Sequence, residues 1–357
     1  MYDCADDVLA YHDEKVTLPQ SERTAMRERR DANRERLKKG LRDQDKPAPR
    51  EFKSQGSYAM KTMVQHPQKD YDIDDGVYFD KEVLVGARGA EMTALQARQM
   101  VRDAIDDGSF KTPPEVRKNC VRVYYAAGYH VDVPVYRRVT TKDVFGNETH
   151  HYELASSEWK RSDARDVTAW FDEENAAQSP DTGNGRQLRR LVREIKKYAR
   201  SRGSWGSQIL SGFGITKLVT ECFRRNADRE DKALYDTMKA MRDRLKLNLV
   251  VEHPVTPGET ITKGTDDPKA RFLRDKLTEA IDNLAPLFEP DCTREKALKC
   301  WDKVFNTTFF SDRLEKASEL ETKSATGAST ILTSGLLSSA AAVAQTAVRK
   351  EGGGRYA

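Results

Sequence analysis

Long apolar runs, a leader segment and a strong charge of either sign are all missing from this sequence. No uninterrupted apolar run approaches the roughly 20 residues that a membrane-spanning helix needs. The first residues, MYDCADDVLAYHDEK, lack the basic and then apolar order of a signal peptide. We therefore expect a cytoplasmic protein that does not enter a membrane.

Cysteine pairs are missing as well. The five cysteines, which form no CxxC motif, are Cys4, Cys120, Cys222, Cys292 and Cys300. Their spacing argues against a disulfide framework and against a structural zinc site, so we interpret them as reduced thiols. The 61 basic and 57 acidic residues nearly balance. Global charge therefore does not predict a nucleic-acid partner.

The N-terminal part of the chain is predicted to be helical. Residues 1–48 form an N-terminal helical segment, in which residues 19–43 combine strong helix formers with charge pairs at i and i+4. This pattern is typical of one long exposed helix. The prolines of DKPAPR end it, because proline disfavours helix at the preceding residue.

Three further parts follow. Residues 49–165 carry short β-prone runs with alternating polarity as far as about residue 140, and one helix that ends at Gly108. Residues 166–320 show helical periodicity and predict a helix bundle. Residues 321–357 are rich in Ser, Thr, Ala and Gly, so we expect a flexible tail.

The densest chemical signal is the Asp72-Ile73-Asp74 triplet. On a strand, residues i and i+2 point to the same face, so two carboxylates would lie a few ångströms apart. Such anions repel each other unless a divalent cation neutralises them. Asp132 lies in a second β-prone run, and a neighbouring strand could bring this third carboxylate to the same cluster.

Three clustered carboxylates can hold two Mg²⁺ ions, which is the arrangement that nucleotidyl transfer uses. Gly56 and Ser57 fit a phosphate cradle, because glycine lets the backbone approach a triphosphate and the hydroxyl donates to it. Each feature alone is common on protein surfaces and in turns. Together they predict a nucleotidyltransferase.

Three motifs occur in order: QGS at Gln55–Ser57, DIDDG at Asp72–Gly76 and VDVPVY at Val131–Tyr136. With these motifs the chain resembles the cGAS/DncV-like nucleotidyltransferases, the cyclic-oligonucleotide synthases of bacterial anti-phage defence, over most of residues 50–310. Within the family it resembles the cyclic-GMP-AMP synthases most. The resemblance implies an α+β fold, with a polymerase-β-like mixed-sheet lobe, a helical lobe and an active site in the cleft between them.

The resemblance also implies roles for individual residues. The aspartates that would hold both metal ions are Asp72, Asp74 and Asp132. The residues that would contact nucleotides are Gln55, Gly56, Ser57, Arg122, Ser162, Asp163 and Lys196. Lys196 would reach the donor triphosphate, and the Ser162–Asp163 pair would lie near the second nucleotide.

One position departs from the family pattern. Where relatives place a serine against the triphosphate, SGFGIT offers Gly214, so Ser211 or Thr216 would have to substitute. Aromatic residues that could stack on bases are Tyr58, Tyr124 and Tyr136, although burial in the core is an equally ordinary role for them.

The resemblance implies ATP and GTP as substrates, a cyclic dinucleotide such as cyclic GMP-AMP as product, two Mg²⁺ ions as cofactors and no nucleic-acid template. Some relatives are joined covalently to other proteins through their C-terminal carboxylate by ubiquitin-transfer-like enzymes. The same conjugation is therefore predicted at Ala357.

Two other functions remain open at this stage. A template-free RNA-end or oligoadenylate-type nucleotidyltransferase shares the same GS and DxD residues. An interaction module or nucleotide-binding regulator without turnover is the alternative from another class, and three intact carboxylates argue against it.

Overall fold

The structure of this chain is a computed structural model that describes residues 1–67, 71–86, 89–125 and 128–314. The predicted tail of residues 321–357, with Ala357, lies outside the described residues. In the described part of the chain, no helix is both long and apolar enough to cross a membrane.

A mixed sheet forms the middle of the chain. The strands of the described residues are β1 (Glu51–Gln55), β2 (Tyr71–Asp80), β3 (Glu115–Val116), β4 (Val121–Tyr124), β5 (Tyr129–Val133), β6 (Val135–Lys142), β7 (Glu148–Ala155) and β8 (Trp159–Arg161). Their order is β3-β4-β5-β2-β6-β7-β8, with β1 paired to β2. Strand β2 runs parallel to β5 and β6, which follow each other along one of its edges, and antiparallel to β1 on the other edge.

Helices precede, cover and follow this sheet. They are α1 (Ala5–Tyr11), α2 (Gln20–Asp43), α3 (Gly56–Ala59), α4 (Ala94–Ile105), α5 (Ala164–Gln178), α6 (Gln187–Ala199), α7 (Gly212–Cys222), α8 (Glu230–Leu247), α9 (Pro268–Leu284) and α10 (Arg294–Phe305). The predicted α+β fold is confirmed. The predicted domain boundaries at 48, 165 and 320 stay predictions.

The helix predicted for residues 19–43 is present as α2, but it is less exposed than expected. Its buried residues are Met26, Asn33, Leu37 and Leu41, and they pack toward α4 and the sheet. Arg34 of α2 binds Asp75 of β2 through two hydrogen bonds of 2.7 and 2.5 Å. Because these contacts fix one face of α2 to the sheet, the helix is part of the core around the sheet.

The sheet also extends further than predicted. Strands β7 and β8 continue it to Arg161, whereas the sequence pattern indicated strands only to about residue 140. The segment ETHHYELA of β7 is half-buried at most positions and rich in polar residues, so it lacks a clear apolar alternation.

Candidate active site

Three acidic residues lie at neighbouring register positions of the central strands. Asp74 of β2 pairs with Asp132 of β5, and Asp72 pairs with His130. On the far side of β5, Asp132 pairs with Arg122 of β4. Because paired residues of adjacent strands face the same way, these five side chains occupy one face of the sheet, as predicted for the three aspartates.

Arg122 holds the carboxylates together. Its Nε and Nη2 atoms donate to the two oxygens of Asp132 at 2.7 and 2.8 Å. Its Nη2 atom also lies 3.6 Å from Oδ1 of Asp72. The hydrogen bonds that Arg122 donates to Asp132, offset in part by burial, raise the pKa of Arg122 further above its usual range. Arg122 is therefore a charged clamp beside the acidic cluster.

Asp74 has a strongly perturbed carboxyl group. Burial raises its pKa to about 7, with further contributions from the charges of Asp132 and Asp72, while Arg122 acts in the opposite direction. A carboxyl group whose ionised form is this unfavourable gains most from a nearby cation. Asp72 is more exposed and lies within 3.3 Å of Nδ1 of His130.

The donor set of Asp72 and Asp74 fits a divalent cation, because the pair supplies hard oxygen ligands whose mutual repulsion the ion would relieve. The predicted third ligand, Asp132, directs both oxygens to Arg122 in this conformation. Across the described ranges, no three His, Cys, Asp or Glu side chains surround a point where an ion could sit. A three-carboxylate site would thus require Asp132 to leave Arg122.

A cavity of about 750 Å³ opens in front of this face. Sheet-side residues that line it include Gly56, Ser57, Asp72 and Asp74, and helix-side residues include Lys196 and Ser211. Gly56 has a φ of +61°, and a methyl group at its Cα would come 2.2 Å from Oδ2 of Asp74. Only glycine lets the backbone pass so close to the carboxylate.

Lys196 forms the opposite wall of the cavity. It is buried, with its Nζ donating to Oγ1 of Thr62 at 2.9 Å. Burial, and to a smaller extent the charge of Arg200, lowers its pKa to about 7. An ammonium group held in a cavity without a carboxylate partner among the described residues is suited to bind a phosphate.

Three cations that the sequence did not single out also line this cavity: Arg200, Arg202 and Lys269. They come from the end of α6, the loop after it and the start of α9, so no local motif connects them. Together with Lys196 they make the helical wall positive, opposite the acidic sheet wall. A nucleoside triphosphate and its metal ions match this division of charge.

The structure distinguishes the serine substitutes suggested for Gly214. Ser211 caps α7, where its Oγ accepts from the N–H of Gly214 at 3.2 Å, and it lines the cavity. Thr216 is fully buried and donates to the carbonyl of Gly212. A side chain at Gly214 would come 2.7 Å from Leu210. Of the two suggested substitutes, Ser211 is therefore the one that lines the cavity together with Lys196.

Gln55 lies behind the cavity rather than in it. It is buried, and its amide donates to the hydroxyl of Tyr78 at 2.7 Å and accepts from Tyr136 at 3.2 Å. The rings of Tyr78 and Tyr136 stack with centroids 4.6 Å apart. Gln55 thus anchors β1 to the sheet beside Gly56, and Tyr136 belongs to the core.

Other predicted nucleotide contacts lie outside the cavity wall. Asp163 caps α5 and forms an ion pair with Arg165 at 2.8 Å. The backbone N–H of Ser162 donates to the carbonyl of Tyr152 at 3.0 Å. Tyr124 donates to Glu115 at the outer edge of the sheet. Ala164 and Val167, just after the Ser162–Asp163 pair, do line the cavity.

Comparison with known proteins finds a family similarity over part of the chain. Residues 50–136 match the family described as the nucleotidyltransferase domain of cyclic GMP-AMP synthase DncV-like proteins. Over these residues the chain is similar to the DncV-like nucleotidyltransferase domain. The matched range contains Gly56, Ser57 and the three aspartates.

Solved structures extend the likeness of this DncV-like chain to most of its length. Escherichia coli DncV with bound 3′-deoxy GTP is 18% identical, with a TM-score of 0.63 over 82% of this chain and 92% of that one. The Vibrio cholerae DncV cyclic AMP-GMP synthase, described as a prokaryotic cGAS homolog, is 16% identical, with a TM-score of 0.66 over 85% and 96%. The same Vibrio cholerae enzyme with the linear intermediate 5′ pppA(3′,5′)pG is 15% identical, with a TM-score of 0.62 over 82% and 91%. At these identities the likeness establishes the DncV fold.

Proposed function

We propose that this chain joins two nucleoside triphosphates, ATP and GTP, into a cyclic dinucleotide such as cyclic GMP-AMP, with release of pyrophosphate. The observation that carries the proposal is the single cavity with Asp72 and Asp74 on one wall and the buried Lys196 on the other. Its volume of about 750 Å³ falls in the usual range for ligand pockets. The signalling role that we propose for the product is anti-phage defence.

The donor triphosphate is proposed to lie between Ser57 and Lys196. The backbone at Gly56 comes close to the acidic cluster, and the hydroxyl of Ser57 donates to a phosphate oxygen. A bound phosphate raises the pKa of Lys196 again, because it supplies the counter-charge that the cavity lacks. Ser211 and the N–H groups at the start of α7 face the same anion.

Two Mg²⁺ ions are proposed to bind at Asp72, Asp74 and Asp132. Ions held by these carboxylates would supply a lower pKa for the attacking ribose hydroxyl and would offset charge on the departing pyrophosphate. Asp132 becomes available only when Arg122 exchanges its hydrogen bonds to another anion, and a nucleotide phosphate is such an anion. Arg122 thereby links nucleotide binding to completion of the acidic site.

Ring closure requires the linear intermediate to return to the same cavity with its remaining triphosphate as the donor. The cavity must therefore accept a base on either side of the acidic cluster. The structure of the Vibrio cholerae enzyme with a linear intermediate supports this order of events for a protein of the same fold. In this chain the proposed cavity must likewise bind a triphosphate beside the acidic cluster and accept a base on either side of that cluster.

Pyrophosphate release from ATP plus GTP tests the proposal. We expect release in MgCl₂, none in excess EDTA, and none from the Asp72→Asn/Asp74→Asn double variant. A double variant that releases pyrophosphate at the wild-type rate would remove these aspartates from the reaction. Release that increases with an added RNA 3′ end would favour the RNA-end nucleotidyltransferase instead.

A further inference from the structure

A second cavity lies behind the active-site cavity. It has a volume of about 280 Å³, and its lining residues are Thr17, Leu18, Arg23, Met26, Tyr58, Ala59, Lys61, Met63 and Arg193. Of the residues predicted to contact a phosphate or stack on a base, Tyr58 alone is among them, and Tyr58 does not line the active-site cavity. The second cavity therefore needs an explanation of its own.

The two cavities share a wall. Residues 57–63 separate them, and their side chains face opposite sides. Those that line the active-site cavity are Ser57, Met60 and Thr62. Those that line the second cavity are Tyr58, Ala59 and Lys61, while Met63 touches both. A ligand in the second cavity would thus press on the segment that carries Ser57.

Arg193 of α6 is the main polar group of the second cavity. Only 7% of it is exposed, and its guanidinium donates to three neutral oxygens: Oγ1 of Thr17 at 3.4 Å and the carbonyls of Asn184 and Arg189 at 3.0 and 3.4 Å. Within the described residues it forms no ion pair. Burial lowers the pKa of Arg193 to about 10, while the charges of Glu194 and Asp13 oppose that shift from beyond ion-pair distance. An anion in the cavity would supply the direct counter-ion that this buried guanidinium lacks.

Two further cations, Arg23 and Lys61, lie at the exposed side of the same cavity. Lys61 has a φ of +56°, in the left-handed region that favours glycine. It ends α3, where its N–H donates to the carbonyl of Tyr58 at 3.2 Å and the next N–H donates to that of Ser57 at 2.9 Å. A lysine kept where glycine fits better indicates a use for its side chain.

The rest of the lining is apolar. Leu18 and Met26 form one side, Met63 another, and the ring of Tyr58 lies beside them. A ligand that satisfies this cavity carries one anionic group toward Arg193 and an apolar or aromatic body toward the methionines. Its size is limited to that of a small organic anion.

We propose that the second cavity binds a small organic anion, a phosphate monoester or a carboxylate, and that its occupancy changes nucleotide affinity in the active-site cavity. The connection is short: Lys61 precedes Thr62, whose hydroxyl holds Lys196 at 2.9 Å, and Arg193 lies one turn before Lys196 on α6. Anion binding stands apart from the proposed function, whereas the effect on nucleotide affinity rests on it.

Calorimetric titration of the full chain with phenyl phosphate and, separately, with benzoate tests the binding. Arg193→Met should raise the dissociation constant of the more tightly bound probe at least about tenfold, because it removes a charge-assisted contact. Arg23→Ala and Lys61→Gly should each weaken it roughly threefold while keeping the fold, since both side chains are exposed. The matched control is Arg27→Ala, an exposed α2 residue outside the cavity lining, which should bind as the wild type does.

Lys196→Ala separates the two cavities. It should leave probe binding unchanged, because Lys196 lines only the active-site cavity. Binding that is lost in Lys196→Ala, or that is unaffected in both Arg23→Ala and Lys61→Gly, overturns the proposal. So does the absence of binding of either probe at millimolar concentration.

The second readout is the dissociation constant of ATP, measured with and without a saturating concentration of the tighter probe. We expect a change of at least about twofold that reaches a plateau in the wild type and that requires at least about tenfold more probe in Arg193→Met. An ATP affinity that falls without limit as the probe rises shows competition in the active-site cavity and overturns the proposal. An unchanged ATP affinity with intact probe binding overturns the coupling and keeps the anion site.

Discussion

Gly56→Ala probes the closest approach in the active site. Gly56 has a φ of +61°, where any L-residue loses about 1 kcal/mol relative to glycine. The added methyl group would also come 2.2 Å from Oδ2 and 3.1 Å from Cγ of Asp74, so the carboxylate must move. Moving a partly buried side chain to admit a methyl group costs about 1–3 kcal/mol. We expect a total loss of roughly 2–4 kcal/mol in the free energy of unfolding.

Gly108→Ala is the matched control. Gly108 has a φ of +76°, and a methyl group there would have no atom within 4 Å. It should therefore lose only the backbone contribution of about 1 kcal/mol. Urea unfolding followed by circular dichroism gives both values, and calorimetry gives ATP affinity. Gly56→Ala should also lose ATP binding, because the carboxylate has shifted, whereas Gly108→Ala should keep it.

Equal stability losses in the two variants, together with wild-type ATP binding by Gly56→Ala, would refute this reasoning. That result would mean that Asp74 is not held against the Gly56 backbone. A loss of binding in both variants would indicate a general effect of the left-handed position instead.

Three further predictions concern the acidic cluster, Lys196 and Gln55. Asp72→Asn/Asp74→Asn should abolish turnover without lowering the melting temperature at pH 8. Because the pKa of Asp74 is raised to about 7, the folded chain holds the extra proton between about pH 4 and 7. The contribution of Asp74 to the free energy of unfolding therefore falls as pH rises through that window, and the variant should lose this pH dependence. Lys196→Met should raise the KM for ATP. Because the pKa of Lys196 is lowered to about 7, the unfolded chain holds the extra proton between pH 7 and about 10.5. The free energy of unfolding of the wild type should therefore rise with pH across that window, and this rise should be smaller in the variant. Gln55→Met should lower the free energy of unfolding by about 1–3 kcal/mol, since two buried tyrosine hydroxyls lose a partner, and should leave the KM for ATP near wild type once the protein is folded.

The acidic cluster could be predicted because it depends on local rules. The i, i+2 spacing of Asp72 and Asp74 determines which face of a strand they share, and this was readable from the sequence. That Asp132 joins them depends on parallel pairing between β2 and β5, which the motif order suggested and the register now shows. The fork from Arg122 to Asp132 could not be predicted from the sequence, because it depends on the antiparallel register of β4 and β5.

The helical wall could be predicted only in part. The resemblance pointed to Lys196, but the burial of its ammonium group against Thr62 could not be predicted, because that contact joins residues 134 positions apart. Arg200, Arg202 and Lys269 were missed since each lies in ordinary basic sequence and only the packing of three segments brings them to one cavity. Strands β7 and β8 were missed because their polar side chains hide the alternation that marks a strand.

Ring closure between two nucleotides is the step that defines the proposed reaction. The most direct measurement is mass spectrometry of the products from ATP, GTP and MgCl₂ after phosphatase treatment, with Asp72→Asn/Asp74→Asn as the control. A cyclic dinucleotide has no terminal phosphate, so we predict a phosphatase-resistant product that is absent from the control. Its mass should equal the summed masses of free AMP and GMP minus two waters. If all products are linear oligonucleotides that phosphatase degrades, or if no product depends on the two aspartates, the proposed ring closure is contradicted.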